Sequence, residues 1–73
     1  MIFNKIRDII IMHKSSIRKE KITLETRLKE DLGLDSFDAV ELVIQLENTF
    51  KIKINDEAMQ QFKTIRDIVD YIQ

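Results

Sequence analysis

A single glycine stands in this chain of 73 residues, directly ahead of its strongest helical pattern. Gly33 is followed by Leu34-Asp35-Ser36, and from Ser36 to Phe50 the apolar residues recur at helical spacing. Glycine enters backbone conformations that other residues avoid, so the chain can turn sharply at 33 before the helix begins. Asp35 and Ser36 are both helix-start residues, whose side-chain oxygens can accept from the unpaired first N–H groups. Ser36 therefore offers a hydroxyl on a tight turn at the positive end of a helix. A phosphate attached there would be favourably placed.

The helix over 36–50 has two unlike faces. Ala39, Leu42, Val43, Leu46 and Phe50 follow i, i+3, i+4, i+7, i+11 spacing and form a stripe expected to face the core. Phe37, Val40, Glu41, Ile44, Glu47 and Asn48 form the other face, where apolar and acidic groups mix. A helix wetted on one side has no structural need of Phe37, Val40 and Ile44 there. Either a small bundle buries this helix on most sides, or the face is a docking surface of apolar anchors ringed by carboxylates.

Upstream, Ile2, Phe3, Ile6, Ile9, Ile10 and His13 recur at helical spacing and predict an amphipathic helix over 2–14. His13 and Lys14 suit its negative end. No partner for His13 is evident, so it reads as an interfacial or exposed side chain rather than a ligand or base. Ser15-Ser16 breaks the pattern. The connection from there to Asp35 is long for a compact domain. Ile17, Ile22, Leu24, Leu28, Leu32 and Leu34 are nonetheless spaced along it like anchors, with a short helical turn expected around 25–30.

Downstream, 51–54 alternates charged and apolar residues but has no second strand to pair with. It reads as a connector tucking Ile52 and Ile54 inward. Asn55 is expected to cap a short helix over 56–61, with Met59 and Phe62 plugging the core. Thr64 and Asp67 should open the last helix as a capping box, burying Ile65, Ile68, Val69 and Ile72. The expected fold is all-α: a small four-helix bundle of three longer helices and one short one, with a long first loop, in a single domain over 1–73.

Composition narrows the chemistry. There is no cysteine, so disulfides and thiolate metal sites are excluded, and one histidine does not make a zinc site. No apolar run is long enough to span a membrane, and no signal peptide opens the chain, so a cytoplasmic setting is expected. The net charge of −1 conceals an asymmetry, with +5 over residues 1–29 and −6 over residues 30–73. Glu30, Asp31, Asp35, Asp38, Glu41 and Glu47 fall between 30 and 50 with no basic residue among them. Such a field favours basic partner surfaces, unless it is simply a set of solvated helix faces. Arg18-Lys19-Glu20-Lys21 is short and lacks an aromatic stacking partner, so no nucleic-acid binding is expected. The acidic pairs on 36–50 read as solubilising or docking groups, and no metal site is expected. No catalytic constellation is present; Asp35 beside Ser36 is a cap before it is a base.

Leu32-Gly33-Leu34-Asp35-Ser36-Phe37, followed by Val40-Glu41-Leu42, resembles the signature of the acyl carrier protein family. The likeness continues through Glu47, Phe50, Ile54, Asp56 and Glu57, then Thr64-Ile65 and Asp70-Tyr71-Ile72, and covers nearly the whole chain in register. The resemblance implies that Ser36 carries 4′-phosphopantetheine, installed from coenzyme A by a phosphopantetheinyl transferase, with Asp35 and Gly33 shaping the turn. It implies a carrier of acyl thioesters, not an enzyme. Phe37, Val40, Glu41, Ile44 and Glu47 would dock on acyl-loading and acyl-transferring enzymes with basic surfaces. Leu42, Val43, Leu46, Phe62 and Ile68 would line an interior that shelters the acyl chain.

Three features depart from the family pattern. Phe37 replaces the usual leucine after the serine, Asn55 follows Ile54 where a proline is familiar, and the first 29 residues are basic. Fatty-acid, polyketide and specialised aminoacyl or peptidyl pathways therefore stay open. A freestanding monomer is expected. The reading from a different class is an unmodified helical interaction domain in which Ser36 is only an N-cap.

Overall fold

The computed structural model describes residues 1–73. Four helices form: α1 over Ile2–His13, α2 over Ser36–Phe50, α3 over Asp56–Gln61 and α4 over Ile65–Ile72. Three run eight residues or more and α3 has six, as the periodicity predicts. None is long and apolar enough to cross a membrane.

The core lies where α1 meets α2 and α4. Ile6 and Ile10 of α1, Leu46 of α2, and Ile65 and Ile68 of α4 are fully buried. These are the inward positions of three apolar stripes. The connections contribute as well: Ile22, Leu32 and Leu34 from the long crossover and Ile54 from the connector are buried against them. Ile17, Leu24 and Leu28 pack half-buried around the edge. The anchors expected along 15–35 are thus the reason so long a loop is held.

Backbone pairing holds it too. Leu28 N–H donates to Lys63 O (2.9 Å), Ile65 N–H to Thr26 O (3.1 Å) and Arg66 N–H to Leu24 O (2.9 Å), around a lone antiparallel bridge between Arg27 and Thr64. Thr26 is the one buried polar residue; its hydroxyl accepts from Thr23 N–H (2.8 Å) and donates to Lys21 O (3.0 Å). This pairing explains a difference from expectation. No helix forms around 25–30, because backbone groups at 24–28 are engaged with the start of α4. The segment makes turns instead, with Asp31 N–H donating to Arg27 O (3.0 Å) and Gly33 N–H to Lys29 O (3.0 Å). The short helical element of the crossover is a 3-10 turn over Lys19–Lys21, within the stretch read as a plain loop.

The helix starts follow the sequence closely. Asn55 accepts from Ala58 N–H (2.8 Å), and Thr64 with Asp67 forms the expected capping box. Residues 52–55 form an extended connector with no strand, in which Ile54 is buried and Ile52 half-buried. Met59 and Phe62 differ from expectation. They are half-buried rather than core plugs, and Phe62 meets Tyr71 edge-on with ring centroids 5.5 Å apart. Both still pack against the edge of the core.

Candidate functional site

The turn ahead of α2 is built from Gly33 onward. Gly33 adopts a φ of +67°, a left-handed conformation that costs other residues strain. An added Cβ would meet nothing nearer than Lys14 Nζ at 3.8 Å, so backbone conformation rather than space requires glycine. Leu34 then points into the core, and Asp35 turns extended to become the N-cap.

Asp35 Oδ1 accepts from Asp38 N–H (2.9 Å), and Asp35 N–H donates to Asp38 Oδ2 (3.1 Å), a reciprocal capping box. Ser36 is the first helical residue, not the cap. That corrects the reading of Ser36 as only an N-cap: the capping hydrogen bond belongs to Asp35. The Ser36 side chain is exposed and enters none of the hydrogen bonds that build the turn. Its hydroxyl is available for chemistry at no cost to the helix start.

The end of α1 reaches this turn from outside. His13 Nε2 donates to Asp38 Oδ1 (2.7 Å), with side chains only 26% and 23% exposed, and Lys14 Nζ donates to Gly33 O (3.2 Å). His13 therefore has a partner that sequence reasoning did not supply. The two residues are 25 positions apart, and no spacing rule connects them. The only signal is their place at the ends of adjacent helices.

Asp38 consequently titrates below the usual carboxylate range. The hydrogen bond from His13 is the largest cause and the one from Asp35 N–H the next, with burial opposing both. Asp31 is lowered chiefly by Arg27 N–H and then by the Arg27 side chain, and Asp67 chiefly by Thr64 N–H and then by Lys63 N–H. A depressed folded-state pKa contributes stability that is full above the unfolded value, about 3.9. It is lost as pH falls through the folded value. We expect stability to decline from about pH 4 downward. In His13→Phe the Asp38 carboxyl should titrate closer to the ordinary range by carbon NMR; an unchanged titration would assign the depression to Asp35 N–H and the Lys14 charge.

Beside Ser36 lies a cleft of about 380 Å³. Leu42, Val43 and Phe62 line it, and so do Leu28, Leu34 and Met59 from the crossover and α3. Leu46 and Ile68 do not. Both are fully buried in the core, Leu46 from α2 and Ile68 from α4. Lys29 and Lys63 stand at the cleft with Glu30 and Asp35. Leu28, Leu34 and Met59 could have been found only by knowing how the crossover and α3 fold back.

The second face of α2 is open to solvent. Phe37 is 84% exposed, Val40 and Ile44 are exposed, and Glu41 lies between them. The bundle therefore does not bury α2 on most sides. Glu47 differs from its neighbours on that face. It is half-buried, its Oε2 accepts from Ile54 N–H (2.8 Å), and its carbonyl takes Ile52 N–H (3.3 Å). It pins the reversal that follows Lys51, a residue held in the left-handed conformation. Glu47→Ala should therefore lower unfolding stability by about 1–2 kcal/mol, and Glu41→Ala should stay within about 0.5 kcal/mol of the parent. Equal denaturant midpoints would mean that Ile54 N–H finds water instead.

Comparison with known proteins points to one family. Residues 5–72 match the family described as the phosphopantetheine attachment site. The acyl carrier protein of Aster yellows witches'-broom phytoplasma is 57% identical over 72 residues, covering 99% of this chain and 93% of the relative. That of Clostridium perfringens is 43% identical over 70 residues, covering 96% and 91%. A solved chain from Mycobacterium tuberculosis, named provisionally as an acyl carrier protein, superposes with a TM-score of 0.87 at 30% identity, covering 96% of this chain and 92% of that one.

Proposed function

Since the chain belongs to the acyl carrier protein family, whose members are non-catalytic carriers bearing phosphopantetheine, we propose that Ser36 is its attachment residue. The observation that carries this is the division of labour at the turn: Asp35 does the capping, and the neighbouring hydroxyl is exposed and uncommitted. The site suits the group in two further respects. Gly33 and Asp35 hold a compact turn that a transferase can enter, and an apolar-walled cleft opens beside Ser36.

In the modification, Ser36 Oγ forms a bond to the phosphorus of coenzyme A nearest the pantetheine. The pyrophosphate P–O bond breaks, adenosine 3′,5′-bisphosphate leaves, and the serine proton passes to the transferase. Once attached, the arm supplies a thiol that holds an acyl group as a thioester. Tethering raises the effective concentration of that group at each successive enzyme.

The partners are a phosphopantetheinyl transferase and fatty-acid enzymes. Their docking is read as falling on Phe37, Val40, Glu41 and Ile44, exposed apolar anchors beside an acidic group, which calls for basic and partly apolar partner surfaces. Leu42, Val43 and Phe62 are the residues of the acyl-pocket expectation that line the cleft, and the cleft is the natural shelter for an acyl chain. The protein is read as acting as a monomer, since one core of buried apolar residues from α1, α2, α4 and the connections forms within a single chain.

The test is intact-protein mass spectrometry after incubation with coenzyme A and a broad-specificity transferase. The expected result is one added phosphopantetheine, mapped to Ser36 by fragmentation. Folded protein that gains no mass, or gains it elsewhere, would sink the assignment.

A further inference from the structure

We propose that the C-terminal end of α1 is a positioning clamp for the modification turn, with His13 and Lys14 holding the Gly33–Asp38 segment and so setting the rate at which a transferase modifies Ser36. The proposal rests on Ser36 being the attachment residue.

Two contacts carry it. His13 Nε2 grips Asp38 Oδ1 on the helical side of Ser36, and Lys14 Nζ grips Gly33 O on the turn side. The serine lies between the two grips. Adjacent residues can reach both sides because His13 is the last residue of α1, whereas Lys14 has left the helix, with φ −136° and ψ 85°. Their side chains therefore diverge. The turn is also restrained by Leu32 and Leu34, buried in the core, by Leu34 N–H bonded to Leu28 O (3.1 Å), and by the capping box. The His13 and Lys14 contacts are the hydrogen bonds that tie the turn to the end of α1.

Asp38 is the joint. One carboxylate oxygen accepts from Asp35 N–H within the capping box, and the other accepts from His13. The cap of α2 and the end of α1 thus share a single side chain. Hydrogen bonds between partly exposed groups contribute little to global stability. They matter to local order, because turns of this kind sit at the low-stability end of a fold. Transfer onto Ser36 Oγ requires the oxygen to be held at the reacting phosphorus, where small misplacements are expensive.

His13 also borders the shallow groove between α1 and α2 that includes Glu41, so it could instead touch the transferase directly. Kinetics separate the two roles. His13→Phe and Lys14→Met remove the donors; His13→Gln and Lys14→Arg keep one. With a broad-specificity transferase and coenzyme A, each donor-less variant should lose about three- to tenfold in kcat with KM within about twofold. The donor-keeping variants should recover to within about twofold of the parent. Backbone amides of 34–38 should exchange with deuterium faster in the donor-less pair, a readout that needs no transferase.

Unchanged kcat, a change confined to KM, or failure of Gln and Arg to rescue would each overturn the clamp. Unaltered exchange at 34–38 would do the same. Should His13→Phe fail to fold, Lys14→Met tests the other grip alone. Parent protein that is not modified at Ser36 would instead sink the attachment assignment, with the exchange experiment still deciding whether the turn is clamped.

Discussion

Ser36→Ala is expected to abolish phosphopantetheine attachment completely while leaving unfolding stability within about 0.5 kcal/mol of the parent. The first effect is all-or-none, because no other hydroxyl occupies the first position of α2 behind this turn. The second follows from the cap. Asp35 accepts the N–H of Asp38, and Ser36 makes no contribution that alanine would lose. Asp35→Ala should behave in the opposite way. It removes the capping oxygen and leaves Asp38 with only the backbone half of the box, a loss of about 1–2 kcal/mol. In a domain of this size that lowers the melting temperature by about 4–8 °C for each kcal/mol. Mass spectrometry and thermal unfolding on the two variants suffice. Equal melting shifts would show that Ser36 shares the cap and that its hydroxyl is not free.

The other large effect lies in the core. Leu46→Ala and Ile68→Ala should each cost about 2–5 kcal/mol, since both side chains are 0% exposed and their truncation leaves a cavity in the core. A chain of 73 residues has about 4–11 kcal/mol in total. These variants should therefore populate unfolded protein measurably at 37 °C, seen as an early urea midpoint. Phe62→Ala should cost less, because Phe62 is half-buried at the cleft with part of its ring already in water. The contrast has a practical consequence: Phe62 and Met59 can probe acyl sheltering, whereas loss of function in Leu46 or Ile68 variants would report unfolding. If Leu46→Ala proved as mild as Phe62→Ala, the core would not be organised around α2 as described.

Expectation and structure part company in an orderly way. Helix boundaries, the Asn55 cap and the Thr64–Asp67 box were readable, because periodicity and capping act within about four residues. The apolar anchors of the crossover were readable as well, since burial of Ile22, Leu32 and Leu34 needs only that some core exist. The helical turn expected around 25–30 appears as turns over 27–33, with Asp31 N–H on Arg27 O and Gly33 N–H on Lys29 O, and does not extend into a helix. Local propensity there was overridden by pairing with the start of α4, nearly forty residues downstream (Arg27 to Thr64). The place of Glu47 on the helix face points to docking. The partner that makes it structural, Ile54 N–H, arrives only when the chain reverses at Lys51.

At the site the same division holds. The Gly33-Leu34-Asp35-Ser36 stretch by itself determined a turn, a capped helix and an exposed hydroxyl at its first turn, because each depends on groups within five residues of one another. The family resemblance was legible too, from motif residues spread along nearly the whole chain, whereas the exposure of Phe37, Val40 and Ile44 on α2 was decided only by how the bundle packs. Which of Asp35 and Ser36 caps was decided by backbone geometry at the turn, since both side chains are able to accept. The partnership of His13 with Asp38, the reach of Lys14 to Gly33, and the separation of cleft from core at Leu42 and Leu46 were decided only by how α1 and α4 pack on α2. Contacts across 19 to 25 positions leave no periodic trace, so a one-dimensional pattern carries the elements, and packing carries what they do to one another.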